Sequence, residues 1–228
     1  FGQYFARLPL KKSAKIIHGN ALQTDWETVV TKNELSFILG NPPFLGKSNQ
    51  NAVQKADMEK IFAGQKGTGV LDYVAAWYLK AAQYIQESKT KAAFVSTNSI
   101  AQGEQVGILW NILFNQYKIT IHFAHQTFSW KNEAKGNAAV HVVIIGFANY
   151  DTSNKSIFEY ENIKGEPHEI KVKNINPYLL GGNDNFVEKR RAPICNVSEM
   201  IKGSMPNDGG YYLFTNQEKV DFINKEPK

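Results

Sequence analysis

The 228-residue chain has an ordinary globular composition, 43% hydrophobic and 21% charged, and is long enough for one substantial core. No apolar run reaches the roughly 18 residues of a membrane-spanning helix, no secretory signal is visible, and the single cysteine, Cys195, excludes an internal disulfide, so we expect a cytoplasmic protein without a membrane partner. The net charge of +5 rests on 23 lysines and only three arginines, which suits attraction to phosphate better than reading of base edges.

The first two thirds of the chain predict alternating strands and helices. In chain order, apolar patterns indicate strands at 16–18 and 35–39, helices near 56–63 and over 71–85, a strand at 92–96, a helix at 103–115, and strands at 119–124 and 138–147. This order favours a mostly parallel α/β sheet with helices on both faces. The polar loop 125–137 leaves no room for a crossover helix, so we expect its two flanking strands to form an antiparallel edge pair.

After Tyr150 the chain becomes polar and rich in loops. Residues 157–163 and 168–172 predict a small hairpin, and a final helix is indicated near 216–224. We therefore expect an α/β core over residues 1–150 and a loop-rich extension over residues 151–228.

The most informative motif follows the strand at 35–39. Asn41-Pro42-Pro43-Phe44, hereafter the 41–44 turn, comes after an apolar run and Gly40, as expected of a buried strand that ends in a rigid turn. Ligands of open parallel sheets bind outside the carboxyl ends of the strands. Neither proline has an N–H, and each restricts the residue before it, so the Asn41 side-chain oxygen and the Pro42 carbonyl are left as fixed acceptors.

These acceptors suit the methylation of an exocyclic amine. Two acceptors that hold its N–H bonds favour a pyramidal nitrogen, whose lone pair can attack a sulfonium methyl in line. Phe44 would stack on the base, which must be flipped out of a duplex. Phe128 and Trp130, in the predicted loop 125–137, offer a second ring.

Two other groups have simpler interpretations. His122 and His125 lie three residues apart, as some metal ligands do, but the chain has one cysteine and no third clustered histidine, so we expect no metal. The basic run at 189–191 is typical of a solvated face.

Together these motifs resemble the amino-group DNA methyltransferases that use S-adenosylmethionine. The resemblance implies a Rossmann-like class I methyltransferase fold with a catalytic 41–44 turn. The motifs Gly19-Asn20-Ala21-Leu22 and Leu71-Asp72-Tyr73 match the family motifs before and after that turn, which implies cofactor contacts at Asn20, Ala21 and Leu71. Residues 123–138 resemble the loop that carries the second aromatic ring, which implies that Phe128 stacks on the base opposite Phe44.

Within these enzymes, the chain is most similar to the type IIG and IIL restriction-modification proteins, which fuse an endonuclease, a methyltransferase and a target-recognition domain. The segment around 207–210 resembles the connection to the recognition domain. The resemblance implies methylation of adenine N6 in double-stranded DNA, with S-adenosylmethionine as the cofactor and no metal in the reaction.

One family feature is missing, the Phe-x-Gly-x-Gly loop that wraps the methionine end of the cofactor. The chain also does not begin with methionine, so we expect a piece of a longer protein. The rest of that parent chain would supply the cofactor loop, the recognition domain and a possible nuclease. We therefore expect the isolated chain to be inactive.

Three alternatives remain open at this stage. Cytosine N4 is chemically close to adenine N6. RNA guanine and protein glutamine amines are also methylated by enzymes with Asn-Pro-Pro-aromatic turns. A degenerate core could instead persist as a non-catalytic platform that binds DNA.

Overall fold

A computed structural model of the protein describes residues 14–130, 140–187, 195–197 and 214–225. The chain divides into two compact units, Phe1–Lys189 and Arg190–Lys228. The elements of the first unit are β1 (Phe37–Gly40), α1 (Ala52–Ile61), α2 (Ala75–Tyr84), β2 (Lys91–Thr97), α3 (Gly103–Asn115), β3 (Thr120–Trp130), β4 (Val140–Ala148), β5 (Lys155–Glu159) and β6 (His168–Val172). The described part of the second unit contains helix α4 (Asn216–Lys225), close to its predicted position.

The six strands form one sheet in the order β1-β2-β4-β3-β5-β6. Strands β1, β2, β3 and β5 run in one direction and β4 and β6 in the other, which confirms the predicted mostly parallel α/β fold. The β3–β4 pair is antiparallel, as predicted, but it lies inside the sheet because β5 adds alongside β3. The antiparallel pair at the edge is the β5–β6 hairpin.

Helices α2 and α3 cover one face of this sheet. The Tyr78 ring of α2 lies 5.2 Å from Phe94 of β2, 5.4 Å from Phe147 of β4 and 5.8 Å from Trp110 of α3, measured between ring centroids. The bounds of α3 agree with the prediction because its apolar residues repeat at helical spacing and are buried together.

The opposite face of the sheet carries apolar side chains that no helix in the described part of the first unit covers. Phe37 and Leu39 of β1 are 61% and 77% exposed, and with Ala93 and Phe123 they line an open cavity. Helices were predicted on both faces, and among the described residues they cover one face. Sheets with parallel strands normally bury both faces.

Several predicted boundaries were wrong. Residues 16–18 form no strand, and Ile16 is 87% exposed. Helix α1 begins at Ala52 because Asn51 and Gln54 form a capping box. Strand β3 runs on to Trp130 because it pairs with β4 through two register shifts. The loop residues 131–137, the basic run 189–191 and the segment 207–210 lie outside the described residues.

Within the part of the chain that the structure describes, none of the helices is long and apolar enough to cross a membrane.

Candidate active site

The 41–44 turn begins directly after β1, at the carboxyl end of the strand. Gly40 is opposite Phe94 in the parallel β1–β2 pair. A Cβ atom on Gly40 would lie only 3.0 Å from Cδ1 of Phe94, so the absence of a side chain lets the ring pack against the backbone. This contact fixes the position from which Asn41 leaves the sheet.

The two predicted acceptors of the turn have no hydrogen-bond donor among the residues that the structure describes. Asn41 is exposed, and its side chain makes no hydrogen bond to any of the described residues. The Pro42 carbonyl likewise accepts none within this part of the chain, although the Pro42 ring is buried. Pro43 is exposed, and Phe44 is half-buried against the core. The exposed Asn41 side chain is therefore open to a ligand, and the carbonyl of the buried Pro42 has no donor among the described residues.

Leu45, the residue after the turn, has both its backbone N–H and its carbonyl in hydrogen bonds. The Leu45 N–H donates to Oδ1 of Asp72 at 3.1 Å, and the Leu45 carbonyl accepts from the Tyr73 N–H at 2.9 Å. The Gln50 amide donates to the carbonyls of Leu45 and Leu71, at 3.1 Å and 3.0 Å. The backbone beyond Phe44 is therefore fixed by the Leu71-Asp72-Tyr73 motif.

Asp72 is itself positioned by helix α3. Its side chain also accepts from the Val74 N–H at 3.1 Å, which holds residues 71–74 in a turn and explains why α2 starts later than predicted. The Asp72 N–H donates to Oε1 of Gln105 at 2.9 Å. Burial raises the pKa of Asp72, while its two backbone N–H donors act in the opposite direction.

Asn20 belongs to a buried network around Asp57. The Asp57 carboxylate, 4% exposed, accepts from the Asn20 amide at 2.8 Å, the Gln23 amide at 2.9 Å and the Tyr73 hydroxyl at 2.7 Å. Burial acts to raise the pKa of Asp57, but these hydrogen bonds outweigh it and the pKa is lowered. The side-chain oxygen of Asn20 also accepts from the Leu22 N–H at 2.9 Å.

The other two predicted cofactor residues differ in exposure. Ala21 is exposed and lines a cavity beside Ile38 and Leu39 of β1. Leu71 is 1% exposed, so its side chain faces the core. Of the three positions, Ala21 alone lines this cavity, so within the described residues they do not enclose a cofactor on their own.

Lys80 of α2 holds the 19–24 loop, which carries Asn20 and Ala21. Its ammonium donates to the carbonyls of Leu22 and Thr24, both at 2.6 Å, and lies 5.5 Å from the centroid of the Trp26 ring. Burial lowers the pKa of Lys80.

Phe128 lies in strand β3 and not in the predicted loop. Its ring stacks on Tyr160 at a centroid distance of 5.0 Å, and the Tyr160 hydroxyl pairs with Nδ1 of His125 at 2.8 Å. Because β1 and β3 run in the same direction, Phe128 and the 41–44 turn both lie toward the carboxyl ends of these strands. Strands β2 and β4 separate them by three strand spacings, about 14 Å, and the rings of Phe44 and Phe128 are not in contact.

Several residues of this site were missed by the sequence analysis. Asp57, Gln50, Gln105 and Tyr160 have hydrogen-bond partners 16 to 37 residues away in the chain, apart from the bond of Gln50 to Leu45, and no local pattern indicates such partners. His122 and His125 have separate partners, since Nε2 of His122 pairs with the Tyr150 carbonyl at 2.8 Å.

Two family models match parts of the chain. The family model described as MmeI, DNA-methyltransferase domain, matches residues 1–159, and that described as MmeI, target recognition domain, matches residues 181–228. DNA methyltransferase A of Bacillus subtilis (strain 168) is 45% identical over 224 residues, which is 97% of this chain and 25% of the relative.

A solved structure of the type IIL restriction-modification enzyme MmeI in complex with DNA has a TM-score of 0.87 and 54% identity to this chain. It matches 99% of this chain and 30% of the MmeI chain, so the present chain spans less than a third of the length of both relatives. Since the family model covers well over half of the residues, the chain belongs to the MmeI DNA-methyltransferase domain family.

Proposed function

We propose that the chain is the catalytic part of a site-specific DNA methyltransferase in a restriction-modification protein, and that it methylates adenine N6. The observation that carries the proposal is the 41–44 turn at the carboxyl end of β1, with two acceptors that have no partner among the described residues. Membership of the MmeI methyltransferase family and the match to a target recognition domain support DNA as the substrate.

In this mechanism the turn positions the amine and does not form a covalent bond to it. The Asn41 oxygen and the Pro42 carbonyl each accept a hydrogen bond from one N–H of the amino group. These bonds favour a pyramidal nitrogen with an available lone pair. Phe44 stacks on the flipped base, and Phe128 serves as the second ring. S-adenosylmethionine, when bound, would supply the methyl group by breaking its sulfonium C–S bond, and it would leave as the neutral thioether. After transfer, the nitrogen loses a proton to solvent.

The remainder of the donor site is proposed to come from the parent protein. Asn20, Ala21 and Leu71 would contribute one wall, chiefly through the exposed loop at Ala21. Two observations support an additional layer of structure from the parent protein over the uncovered face of the sheet. The face around Phe37 and Leu39 is apolar and open, and the chain spans only 25% and 30% of the two relatives. We place the parent protein in the cytoplasm, with a recognition domain and a possible nuclease.

The decisive experiment compares the full-length parent protein with its Asn41→Ala variant. Transfer of labelled methyl groups from S-adenosylmethionine to DNA should fall by more than about 100-fold, while Asn33→Ala, an exposed asparagine near the amino end of β1, should keep the wild-type rate. Equal activity of Asn41→Ala would refute the mechanism. Nucleoside mass spectrometry identifies the product, and N4-methylcytosine in place of N6-methyladenine would overturn the assignment of the base.

A parent protein that methylates RNA or a protein but no DNA would overturn the substrate. A parent protein without any methyltransferase activity would favour the non-catalytic platform. The isolated 228-residue chain should methylate no DNA, and methyl transfer by this chain alone would contradict the need for the parent protein.

A further inference from the structure

A groove with two lysines lies beside the 41–44 turn. It is lined by Lys47, Ser48, Gln50, Lys55, Met58, Glu59, Thr68 and Gly69, and we call it the lysine groove. Lys47 belongs to the short 3-10 turn Lys47–Asn49, three residues after Phe44, and Lys55 lies in the first half of α1. The groove therefore adjoins the candidate catalytic turn in sequence.

The groove is also tied to that turn by hydrogen bonds. Gln50, in its lining, donates to the carbonyl of Leu45, the residue next to Phe44. At the other end of the lysine groove, Asn51 and Gln54 fix the start of α1 through their reciprocal capping bonds. Lys47 and Lys55 are thus carried on backbone that is fixed relative to Phe44.

Four polar side chains of the lysine groove, those of Lys47, Lys55, Ser48 and Thr68, have no side-chain partner among the described residues. The ammonium groups of Lys47 and Lys55 are exposed and form no hydrogen bond or ion pair with any residue in the described ranges. The hydroxyls of Ser48 and Thr68 likewise have no side-chain partner there. Glu59 is the one carboxylate in the lining, so positive charge prevails in the lysine groove.

We propose that the lysine groove binds the phosphodiester backbone of DNA next to the flipped nucleotide. This inference rests on the proposed function. Two ammonium groups and two hydroxyl donors are the side chains that contact phosphate oxygens, and lysine does so as a point charge without the bidentate geometry that reads guanine. The lysine groove would hold the strand in register with the turn, and sequence would be read elsewhere.

The test measures the salt dependence of DNA binding by the full-length parent protein. The plot of log affinity against log salt has a negative slope. Each phosphate that is no longer neutralised by a lysine should make this slope less steep by about 1. Lys47→Gln combined with Lys55→Gln should therefore make the slope less steep by about 2 between about 50 and 200 mM salt. The decrease should be the same on duplexes with and without the recognised sequence, because phosphates carry no sequence information.

The matched control is Lys89→Gln combined with Lys91→Gln, which removes two exposed lysines at the amino end of β2, the edge of the sheet opposite the turn. Its slope should equal that of the wild type. Lys47→Arg with Lys55→Arg keeps both charges and should keep the slope, which separates a charge effect from a folding defect. Glu59→Gln should strengthen binding.

An unchanged slope in the glutamine pair would overturn the inference, as would an equal decrease in the control pair or a decrease confined to one DNA sequence. These outcomes differ from failure of the proposed function, in which the wild-type parent protein methylates no DNA at all.

Discussion

The carboxylate of Asp72 holds the backbone N–H of Leu45 at 3.1 Å, across 27 residues of sequence. This bond fixes the peptide that follows Phe44. Asp72 is in turn held by Gln105 of α3, so a helix that follows β2 determines where the candidate catalytic turn ends. Asp72 and Gln105 act here as positioning residues, since neither needs to contact the base.

Removal of the Asp72 side chain should disturb both the fold and the reaction. Asp72→Ala leaves the partly buried N–H of Leu45 and the buried N–H of Val74 unpaired, at a cost of about 1–3 kcal/mol in unfolding free energy. Asp72→Asn keeps the accepting oxygen and avoids the buried charge, so it should cost less. Thermal unfolding of the parent protein compares the two, and an equal loss in both would show that the charge, and not the acceptor, is required.

Gln105→Met should lower the reaction rate in addition to a stability cost of about 1–3 kcal/mol for the unpaired Asp72 N–H. The change removes the acceptor for the Asp72 N–H but leaves both donors to the Asp72 carboxylate in place. We expect the freed Asp72 segment to shift and to move Phe44 with it. A displacement of about 1 Å lowers kcat by up to about 100-fold. Steady-state kinetics of the parent protein should show this loss in kcat at an unchanged KM for DNA. Gln102→Met, an exposed glutamine one turn earlier, is the control. A rise in KM alone would contradict the positioning role.

The features that the sequence predicts well are those whose causes are contiguous. The 41–44 turn follows from four adjacent residues and a preceding strand, and α3 follows from apolar residues repeated at helical spacing. The sequence does not predict the full extent of β3, because His125, Gln126 and Thr127 interrupt the alternation of apolar and polar residues at a register shift. Its length is determined by pairing with β4.

The side-chain network of the site was beyond sequence reasoning for a related reason. Asp57 accepts from Asn20, 37 residues earlier, and Gln105 accepts from Asp72, 33 residues earlier. A polar helix such as α1 gives no indication that one of its carboxylates is buried. The role expected of Asn20 in cofactor binding stays a prediction, with its amide now seen to donate to Asp57.

The Asp57 network predicts a stability that depends on pH. The pKa of Asp57 is lowered in the folded protein, so the ionised carboxylate stabilises the fold above its unfolded pKa of about 3.9, and this stabilisation is lost as the pH falls through the folded value. Asp57→Asn should destabilise the 19–24 loop by about 1–3 kcal/mol near neutral pH, and the difference should shrink below about pH 4. Hydrogen exchange of the 19–24 amides measures it. A difference that grows in acid would show the opposite sign.

Lys80→Met should weaken the donor side of the site. The variant keeps the aliphatic stem but leaves the Leu22 and Thr24 carbonyls without their ammonium donor. A loss of about 1.4 kcal/mol in loop ordering corresponds to a tenfold change in affinity, so the KM for S-adenosylmethionine should rise by about that factor. Lys89→Met is the control. If the KM for DNA rose and that for the methyl donor did not, the loop would not belong to the donor site.

Gly40→Ala should displace the catalytic turn through its contact with Phe94. The added Cβ would lie 3.0 Å from the ring, and Phe94 is 2% exposed between Tyr78 and Phe147, so the backbone must move instead of the ring. Overpacking of this kind costs about 1–3 kcal/mol, and because Asn41 is the next residue, kcat should fall by about 10- to 100-fold.

A second substitution distinguishes this displacement of Asn41 from a general loss of folding stability. Phe94→Leu makes room for the new methyl group, so the double variant Gly40→Ala with Phe94→Leu should have a higher kcat than Gly40→Ala alone, even though Phe94→Leu destabilises the core when introduced by itself. The measurement is a double-mutant cycle on kcat in the parent protein. Strictly additive effects of the two substitutions would show that Gly40 does not transmit the contact to Asn41.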